Sequence, residues 1–456
     1  MRILHSVHDY LPEQVAGVEV YTSRIAHRQS QDHEVGLLFA LLAPDRPDAS
    51  VEIGREARVE TFGLVQNRRW SRFEQTWLDA KLAPAIGRVL DRFAPDVLHV
   101  QHLMNLGLGV VHEARRRGIP IVMTLHDQWL ACANGGQRFR ADRQRCDELD
   151  ARRCARCTHS MVGPALALRG RGQRRRARAR EQGGEGGPAS QIVVSPGEAS
   201  AAVSASKWLR AGWAGLVGGL GGGRIEARWR AMRALGDEVD RFIAPSQDMR
   251  AAAIEFGLPA ERVLRLPYGM PRQVAPRSRA LPEHASRFAY LGSLVPHKGV
   301  HDLVCAFESL PATARLDVFG SQTDAPGYVA ELRRAIRHPG IRLRGEIAPD
   351  RVPDLLGEID CLVSPSIWRE NAPLSVQEAL GAGTPVIASD LGGHGELLAE
   401  GGGLLFEAGN VEALARVLGR LVSEAGLARK LGGSAMRLTS VEEHAVALDD
   451  VYRSLV

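Results

Sequence analysis

Short apolar blocks alternate with amphipathic stretches along most of the chain. In the first half, blocks typical of strands are RILHSV, HEVGLLFA, DVLHVQH, IPIVMTLHD and RFIAPS. The stretches between them carry the period of helices, including a longer helix predicted from Glu74 to Phe93. Strands that alternate with helices are typical of an α/β protein with a parallel, doubly wound sheet.

A second unit with the same alternation begins near Arg287. Its predicted strands are RFAYLGSL, RLDVFGS, IRLRGEI, DCLVSPS and TPVIASD. The polar, Pro-rich stretch PYGMPRQVAPRSRALPEH joins the two units and is typical of an interdomain connection. We therefore predict a first domain at 1–268, a second at 269–440, and a last helix at 441–456 that packs back on the first domain. Two doubly wound domains leave a cleft between the carboxyl ends of their strands, where ligands bind.

The regular pattern is interrupted over about 160–223, an Arg- and Gly-rich insertion with the linker-like stretches EQGGEGGPAS and LVGGLGGGR. Order resumes where Ile225, Trp229 and Met232 fall on one helical face. Ser246 is then expected to cap the next helix.

Composition indicates a globular protein. Apolar residues form 45% and charged residues 24% of the 456 residues, a length that fits two or three domains. No apolar run is long enough to cross a bilayer, and MRILHSVHDY lacks the apolar centre of a secretory signal. We expect a cytoplasmic protein, or one peripheral to the inner face of the membrane.

The net charge of +5 arises locally, because LRGRGQRRRARAR at Leu168–Arg180 holds seven arginines. Without this run the chain would be slightly acidic, and the run lacks interleaved aromatic residues, so no nucleic-acid partner is expected. Two interpretations stay open: a solvated insertion, or a contact with anionic membrane that brings the protein to a lipid-linked acceptor.

The stretch SIWRENAPLSVQEALGAGTPVIASD carries the candidate chemistry. A helix is predicted to begin near Leu374 and Ser375, with Asn371 as its cap, and its free N–H groups suit a diphosphate. Glu370 precedes this helix and Glu378 lies within it. Eight helical residues span roughly 12 Å, comparable to the distance from hexose to ribose in a nucleotide-sugar. Alternatively, Glu378 is a surface residue and Glu370 a loop charge.

Several motifs together resemble a known family. The pair Glu370 and Glu378, followed by ALGAGTPVIASDLGGHGELL, is similar to the retaining family 4 glycosyltransferases (glycosyl transferases group 1), as are AGVEVYTSRIA, TLHDQWLAC, GSLVPHKG and GGLLFEAGNVEALARVL in this order. The resemblance implies the GT-B architecture, two Rossmann-like domains facing across a cleft. It covers most of the chain outside about 160–223.

The resemblance also implies roles for individual residues. Gly17 would let the backbone approach the donor diphosphate, and Lys298 would place a positive charge on it. Glu370 would face the donor sugar and Glu378 would bind the ribose hydroxyls. His126 would lie by the sugar and contribute a hydrogen bond or orientation; without the family context, an ordinary strand-end histidine is an equal alternative.

The implied activity is transfer of a hexose from a UDP- or GDP-sugar with retention at the anomeric carbon and without a catalytic metal. The acceptor would be a carbohydrate or lipid-linked precursor, as in polysaccharide biosynthesis. Two positions depart from the family: Ser293 stands where arginine is frequent, and Ala16 precedes Gly17 where Gly-Gly is frequent. They keep open a non-catalytic partner that binds a sugar nucleotide. A hydrolase or phosphorylase on the same fold is a further alternative.

Cysteines cluster after His126. Cys154 and Cys157 form a C-x-x-C motif, and Cys132 and Cys146 precede it. Four thiolates can hold a structural zinc; alternatively Cys132 packs under the sheet and the others are incidental thiols. The two remaining cysteines are expected in the core of the second domain: Cys305 and Cys361.

Overall fold

A computed structural model of the chain describes residues 1–11, 16–67, 70, 72–140, 142–158, 222–271, 277, 279–432 and 436–456. The arginine-rich run Leu168–Arg180 and most of the insertion lie outside these ranges.

The described residues form two sheets. The strands of the first sheet are β1 (Arg2–Val7), β2 (Glu34–Leu41), β3 (Val51–Glu56), β4 (Val59–Val65), β5 (Val97–Val100), β6 (Ile121–Thr124), β7 (Arg241–Ala244) and β8 (Val263–Arg265). Their order is β3-β4-β2-β1-β5-β6-β7-β8. The pairs are parallel except β3–β4, which is an antiparallel hairpin.

The second sheet is smaller and parallel throughout its pairs. Its strands are β9 (Arg287–Leu291), β10 (Arg315–Phe319), β11 (Ile341–Gly345), β12 (Cys361–Ser364), β13 (Val386–Ser389) and β14 (Gly403–Phe406). Their order is β11-β10-β9-β12-β13-β14. The predicted α/β fold with two doubly wound domains is confirmed.

Helices cover the faces of the two sheets. They are α1 (Gly17–Gln29), α2 (Ala83–Phe93), α3 (Gly109–Arg116), α4 (Ala151–Thr158), α5 (222–238), α6 (Gln247–Phe256), α7 (Val300–Phe307), α8 (Pro326–Ala335), α9 (Val352–Glu358), α10 (Leu374–Gly381), α11 (Gly393–Leu398), α12 (Val411–Ser423), α13 (Leu427–Leu431) and α14 (Val441–Arg453). Among the described residues, no helix combines the length and the apolar composition needed to cross a lipid bilayer.

Several local expectations agree with the structure. Ile225, Trp229 and Met232 are buried in the core of the first domain. The Ser246 side chain accepts a hydrogen bond from the Met249 N–H and so caps α6, and Gly257 ends that helix with φ at 114°.

Three local expectations are wrong. The helix predicted from Glu74 begins at Ala83, because a 3-10 turn at Phe73–Thr76 precedes it and Pro84 stands in its first turn. Asn371 does not cap α10, since its side chain is used in contacts with the first domain. Cys305 is exposed on α7 and not in the core, whereas Cys361 is buried.

The last helix, α14, packs on the first domain. The Tyr452 hydroxyl lies 2.5 Å from His99 Nδ1, and the Tyr21 hydroxyl lies 2.6 Å from His444 Nε2. Asp449 accepts a hydrogen bond from the Gln29 amide. The end of the chain is therefore attached to β5 and α1 although it follows the second domain.

Candidate functional site

Lys298 and Glu370 follow neighbouring strands of the second sheet. Lys298 ends a 3-10 turn after β9, and Glu370 lies in the loop after β12. These strands pair with each other, and the order of the sheet reverses between them. This is the switch point of a doubly wound sheet, where ligands are bound at the carboxyl ends of the strands.

The two side chains form an ion pair in which Glu370 is buried and Lys298 is partly exposed. Lys298 Nζ lies 2.7 Å from Glu370 Oε1 and 5.0 Å from the centre of the Trp368 ring. The Ser366 hydroxyl donates to the same carboxylate oxygen. Glu370 is only 5% exposed, so its charge depends on these partners instead of water.

Electrostatics keep Glu370 ionised. Burial alone would raise the pKa of its carboxyl, but Lys298, His394 and the hydrogen bond from Ser366 outweigh burial and lower this pKa to about 2. Burial lowers the pKa of His394, so its ring is neutral at pH 7. The site thus holds one fixed negative and one fixed positive charge side by side.

Two glycines let the loops of the site come together. Gly299 adopts a φ of +69°, and a Cβ there would stand 1.9 Å from the Pro365 carbonyl oxygen. A Cβ at Gly393 would stand 1.6 Å from the Asn371 carbonyl oxygen. The Gly393 N–H donates to the Glu370 carbonyl at 2.7 Å. A larger residue at either position would push Glu370 away from Lys298.

Helix α10 begins immediately after this loop. Its N-terminal residues are Leu374 and Ser375, as the sequence predicts, and both are partly exposed. The Gln377 N–H makes a bond to the Pro373 carbonyl, so the N–H groups before it point out of the helix. These donors and the partial positive charge of the helix end suit an anion.

Glu378 meets a residue of the first domain. Its Oε1 lies 3.0 Å from the Arg24 guanidinium nitrogen Nη2, on helix α1. Gly17 is the first residue of that helix and is exposed, and a Cβ there would meet no atom within 4 Å. Arg24 of the first domain therefore lies next to Glu378, the carboxylate that the family resemblance assigns to the ribose.

His126 lies at the end of β6 with both ring nitrogens engaged. Nδ1 is 2.6 Å from the Tyr268 hydroxyl and Nε2 is 2.9 Å from Gln101 Oε1. Burial lowers the pKa of His126 to about 3, so the ring is neutral. Its carbonyl accepts a hydrogen bond of 3.1 Å from Asn371, which joins it to the loop of Glu370.

A polar cluster at the carboxyl edge of the first sheet was missed. Its members follow β1, β5 and β6: His8, Asp9, His102 and Asp127. His102 Nε2 lies 3.3 Å from Asp127 Oδ2. Polar residues directly after buried strands are the signal that could have revealed them.

Charges within this cluster shift its pKa values. His8 Nε2 lies 3.1 Å from the buried Glu19 of α1. Burial by itself lowers the pKa of His8, but Glu19 outweighs it and the net shift is upward. Burial raises the pKa of Asp9 to about 6, against the opposing effect of His8. The cluster can therefore exchange protons near neutral pH.

The two domains touch through a second set of polar contacts. Asn371 Nδ2 donates to the Leu125 carbonyl at 2.9 Å, and its Oδ1 accepts from the Ser246 hydroxyl at 2.7 Å. Arg369 donates two hydrogen bonds to Asp248. The loop of Glu370 is thus held against β6 and the start of α6.

Two family descriptions match this chain. The description "Glycosyltransferase Family 4" matches residues 15–161, and "Glycosyl transferases group 1" matches residues 272–437. Together the two matches cover more than half of the chain. The chain belongs to the family 4 glycosyltransferases. The cleft between the two sheets corresponds to that of the GT-B fold.

Curated relatives of this family match over part of their length. The alpha-maltose-1-phosphate synthase of Mycolicibacterium smegmatis is 28% identical over 50% of this chain and 65% of its own. The D-inositol 3-phosphate glycosyltransferase of Salinispora tropica is 32% identical over 44% of each chain. The chain therefore spans less than two thirds of the length of these relatives.

Solved structures share the whole architecture. Sucrose-phosphate synthase of Thermosynechococcus elongatus superposes with a TM-score of 0.62 at 16% identity, over 100% of this chain and 98% of that one. Anabaena HepE, solved in complex with UDP and glucose, gives 0.60 at 17% identity over the full length of both chains. At these identities the likeness establishes the fold.

Proposed function

We propose that this protein transfers a hexose from a nucleoside diphosphate sugar to a carbohydrate or lipid-linked acceptor, with retention of the anomeric configuration. The observation that carries the proposal is the Lys298–Glu370 pair, which lies at the switch point beside the start of α10. The Lys298 ammonium and the N–H groups at the start of α10 suit the diphosphate of such a donor, and the Glu370 carboxylate suits its sugar hydroxyls.

The donor would bind along the loop and helix at 370–378. Its diphosphate would accept hydrogen bonds from Lys298 and from the N–H groups of Leu374 and Ser375, while Glu370 binds sugar hydroxyls and Glu378 the ribose. UDP- and GDP-sugars both fit this scheme, and the complexes of Anabaena HepE with UDP and with UDP-glucose support a uridine donor.

In the transfer step the bond between the anomeric carbon and the diphosphate oxygen breaks, and both electrons leave with the nucleoside diphosphate. The acceptor oxygen forms its bond on the same face of the sugar, and its proton passes to the departing phosphate oxygen. Lys298 and the helix start stabilise the charge that develops there, the task a metal performs in other folds. Membership of the family 4 glycosyltransferases supports the proposed retention.

The acceptor would enter from the first domain. His8, Asp9 and Asp127 lie at the edge of its sheet and can hold hydroxyl groups by hydrogen bonds. For His126 we propose orientation, because both of its nitrogens are engaged and its carbonyl is tied to Asn371.

The test is donor turnover by the purified chain. UDP- and GDP-sugars are offered with and without carbohydrate acceptors, and release of nucleoside diphosphate is measured. Glu370→Gln and Lys298→Met should each lower kcat by about 10²–10³-fold, while the exposed Glu400→Gln should leave it unchanged. Binding of a donor with no release under any acceptor would instead indicate a non-catalytic partner. Release that never depends on acceptor would indicate a hydrolase.

A further inference from the structure

Four cysteines separated by up to 25 residues along the chain line one cavity of the first domain. Cys132, Cys146, Cys154 and Cys157 all contribute to its wall, and its volume is about 20 Å³. A space of this size holds about one water-sized particle. The thiols therefore converge on a volume suited to a single ion.

The backbone brings these thiols together through a hairpin and a short helix. After Cys132 the chain forms a hairpin in which Phe139 pairs with Arg145, and the Cys146 N–H returns to the Arg138 carbonyl at 2.8 Å. Helix α4 follows and carries Cys154 and Cys157. Residues three apart share one face of a helix, so both thiols point the same way.

A backbone donor already serves the first thiol. The Arg138 N–H lies 3.4 Å from Cys132 Sγ, and the Gly136 N–H lies 3.1 Å from the Cys132 carbonyl. A backbone N–H that faces a sulfur helps to stabilise the deprotonated form that binds metals.

An independent observation comes from a buried cation next to the cluster. Arg228 of α5 is 1% exposed, and within the described residues it has no carboxylate at ion-pair distance. It donates to the carbonyls of Leu130 and Trp129 and stacks 4.6 Å from the Trp129 ring. A buried cation is stabilised further by a nearby negative charge. A metal held by four thiolates carries net negative charge and would balance Arg228.

From these observations we propose that Cys132, Cys146, Cys154 and Cys157 bind one structural Zn²⁺ in a closed tetrahedral site. As they lie in the fold, no three histidine, cysteine, aspartate or glutamate side chains within the described ranges are placed so that they could hold a metal ion. The thiols therefore turn about their Cα–Cβ bonds to share the ion and release their protons. Four protein ligands leave no open position, so the zinc does not take part in catalysis.

The proposed zinc module, residues 132–158, also contacts the second domain. The Phe139 ring lies 5.9 Å from the ring of His297, the neighbour of Lys298. Arg143 forms an ion pair with Glu331 and lies over the Tyr328 ring. By ordering the hairpin, the zinc stabilises a contact across the cleft. This inference is independent of the reaction proposed above, because it depends only on metal and thiol measurements.

The experiment measures zinc in the full chain, purified under reducing conditions. We expect about one zinc per chain, and at least a tenfold lower content in the double variant Cys154→Ser/Cys157→Ser. Cys305→Ser, which removes an exposed thiol of the second domain, should keep its zinc. A double variant that retains full zinc would overturn the proposal.

Two measurements on the unmodified chain keep the test valid if the variant does not fold. Replacement of zinc by Co²⁺ should produce the intense absorption of tetrahedral cobalt–thiolate bonds. Addition of a strong chelator should make four further thiols reactive. No cobalt uptake by the reduced chain, or thiols that react equally with and without chelator, would rule the site out.

Discussion

At the scale of single residues, the ion pair of Lys298 and Glu370 sets the charge at the carboxyl end of the second sheet. Glu370 is almost fully buried, and its carboxylate is stabilised by one ammonium group, one hydroxyl and the second domain's loops. Removing one member of such a pair leaves the other charge buried without a partner, which costs more than the pair itself contributes. Stability and activity are therefore coupled at this site.

A double-mutant cycle tests this coupling. Lys298→Met should lower the free energy of unfolding by about 3 kcal/mol, because it leaves Glu370 buried and unpaired. Lys298→Met combined with Glu370→Gln should lose less than the single lysine variant, since no charge remains. Denaturant titration of the single and double variants gives the coupling. Strictly additive losses would show that the two side chains do not depend on each other.

Lys298 and Glu370 could be singled out from sequence, because both lie in motifs that resemble the family, while their roles in the reaction stay a prediction. The partners of His126 could not, since Tyr268 and Gln101 reach it only through the folded sheet. The same holds for Arg24 beside Glu378, 354 residues away along the chain. A pattern along the chain does not show which distant side chains form hydrogen bonds with a given residue.

At the scale of elements, helix α6 of the first domain is capped from the second. The Glu396 carboxylate accepts from the N–H groups of Gln247 and Asp248 at 2.8 Å and 2.6 Å. It lies at the helix start, where a negative charge is favourable. This contact and the Arg369–Asp248 pair hold the cleft closed on one side.

Substitution of this cap tests its part in joining the domains. Glu396→Gln should weaken the charge-assisted bonds and destabilise the start of α6 by about 1 kcal/mol. Hydrogen exchange at the Gln247 and Asp248 amides should then accelerate about fivefold, because a loss of about 1 kcal/mol makes local opening about fivefold more frequent. Glu400→Gln, on the exposed end of the same segment, serves as the matched control. Unchanged exchange in Glu396→Gln would show that the contact contributes nothing.

Element prediction recognised some of the strands and missed others. The blocks that contain β1, β2 and β5 were recognised, whereas β3 and β4 were not. β3 carries mostly exposed residues, and Ile53 is 51% exposed, so its alternation is not that of a buried strand. β14 is short and begins at the third of three glycines, and it was not among the predicted strands.

At the scale of the whole molecule, a network of buried histidines joins α14 to the first domain. His5, His99, His126 and His444 lie together with tyrosines and glutamines as partners. Burial lowers the pKa of His5 and His444 to about 4 and that of His126 to about 3. All are neutral in the fold at pH 7.

This network predicts a steep loss of stability in mild acid. Each histidine would take up a proton on unfolding below its usual pKa of about 6.5, so stability is full above that pH and falls as pH drops towards 4. The expected slope is about 1.4 kcal/mol per pH unit for each histidine. Denaturant titrations from pH 7 to 4.5 measure it. His444→Gln should reduce the slope by the contribution of one histidine, about 1.4 kcal/mol per pH unit. An unchanged slope would show that buried, neutral His444 does not contribute to the acid sensitivity.

The division into two doubly wound domains could be predicted because the alternation of strands and helices repeats along the chain. How the domains contact each other could not be predicted. Asn371 was expected to cap its own helix, yet it bonds to residues 125, 126 and 246 of the other domain. Local propensity gives way to tertiary contacts at such an interface.

The most direct test of the central claim is a crystal structure of the chain with a bound UDP- or GDP-sugar. We predict that the diphosphate lies within hydrogen-bond distance of Lys298 Nζ and of the N–H groups of Leu374 and Ser375, with the hexose against Glu370. A donor bound elsewhere on the chain, with its phosphates away from the start of α10, would contradict the account.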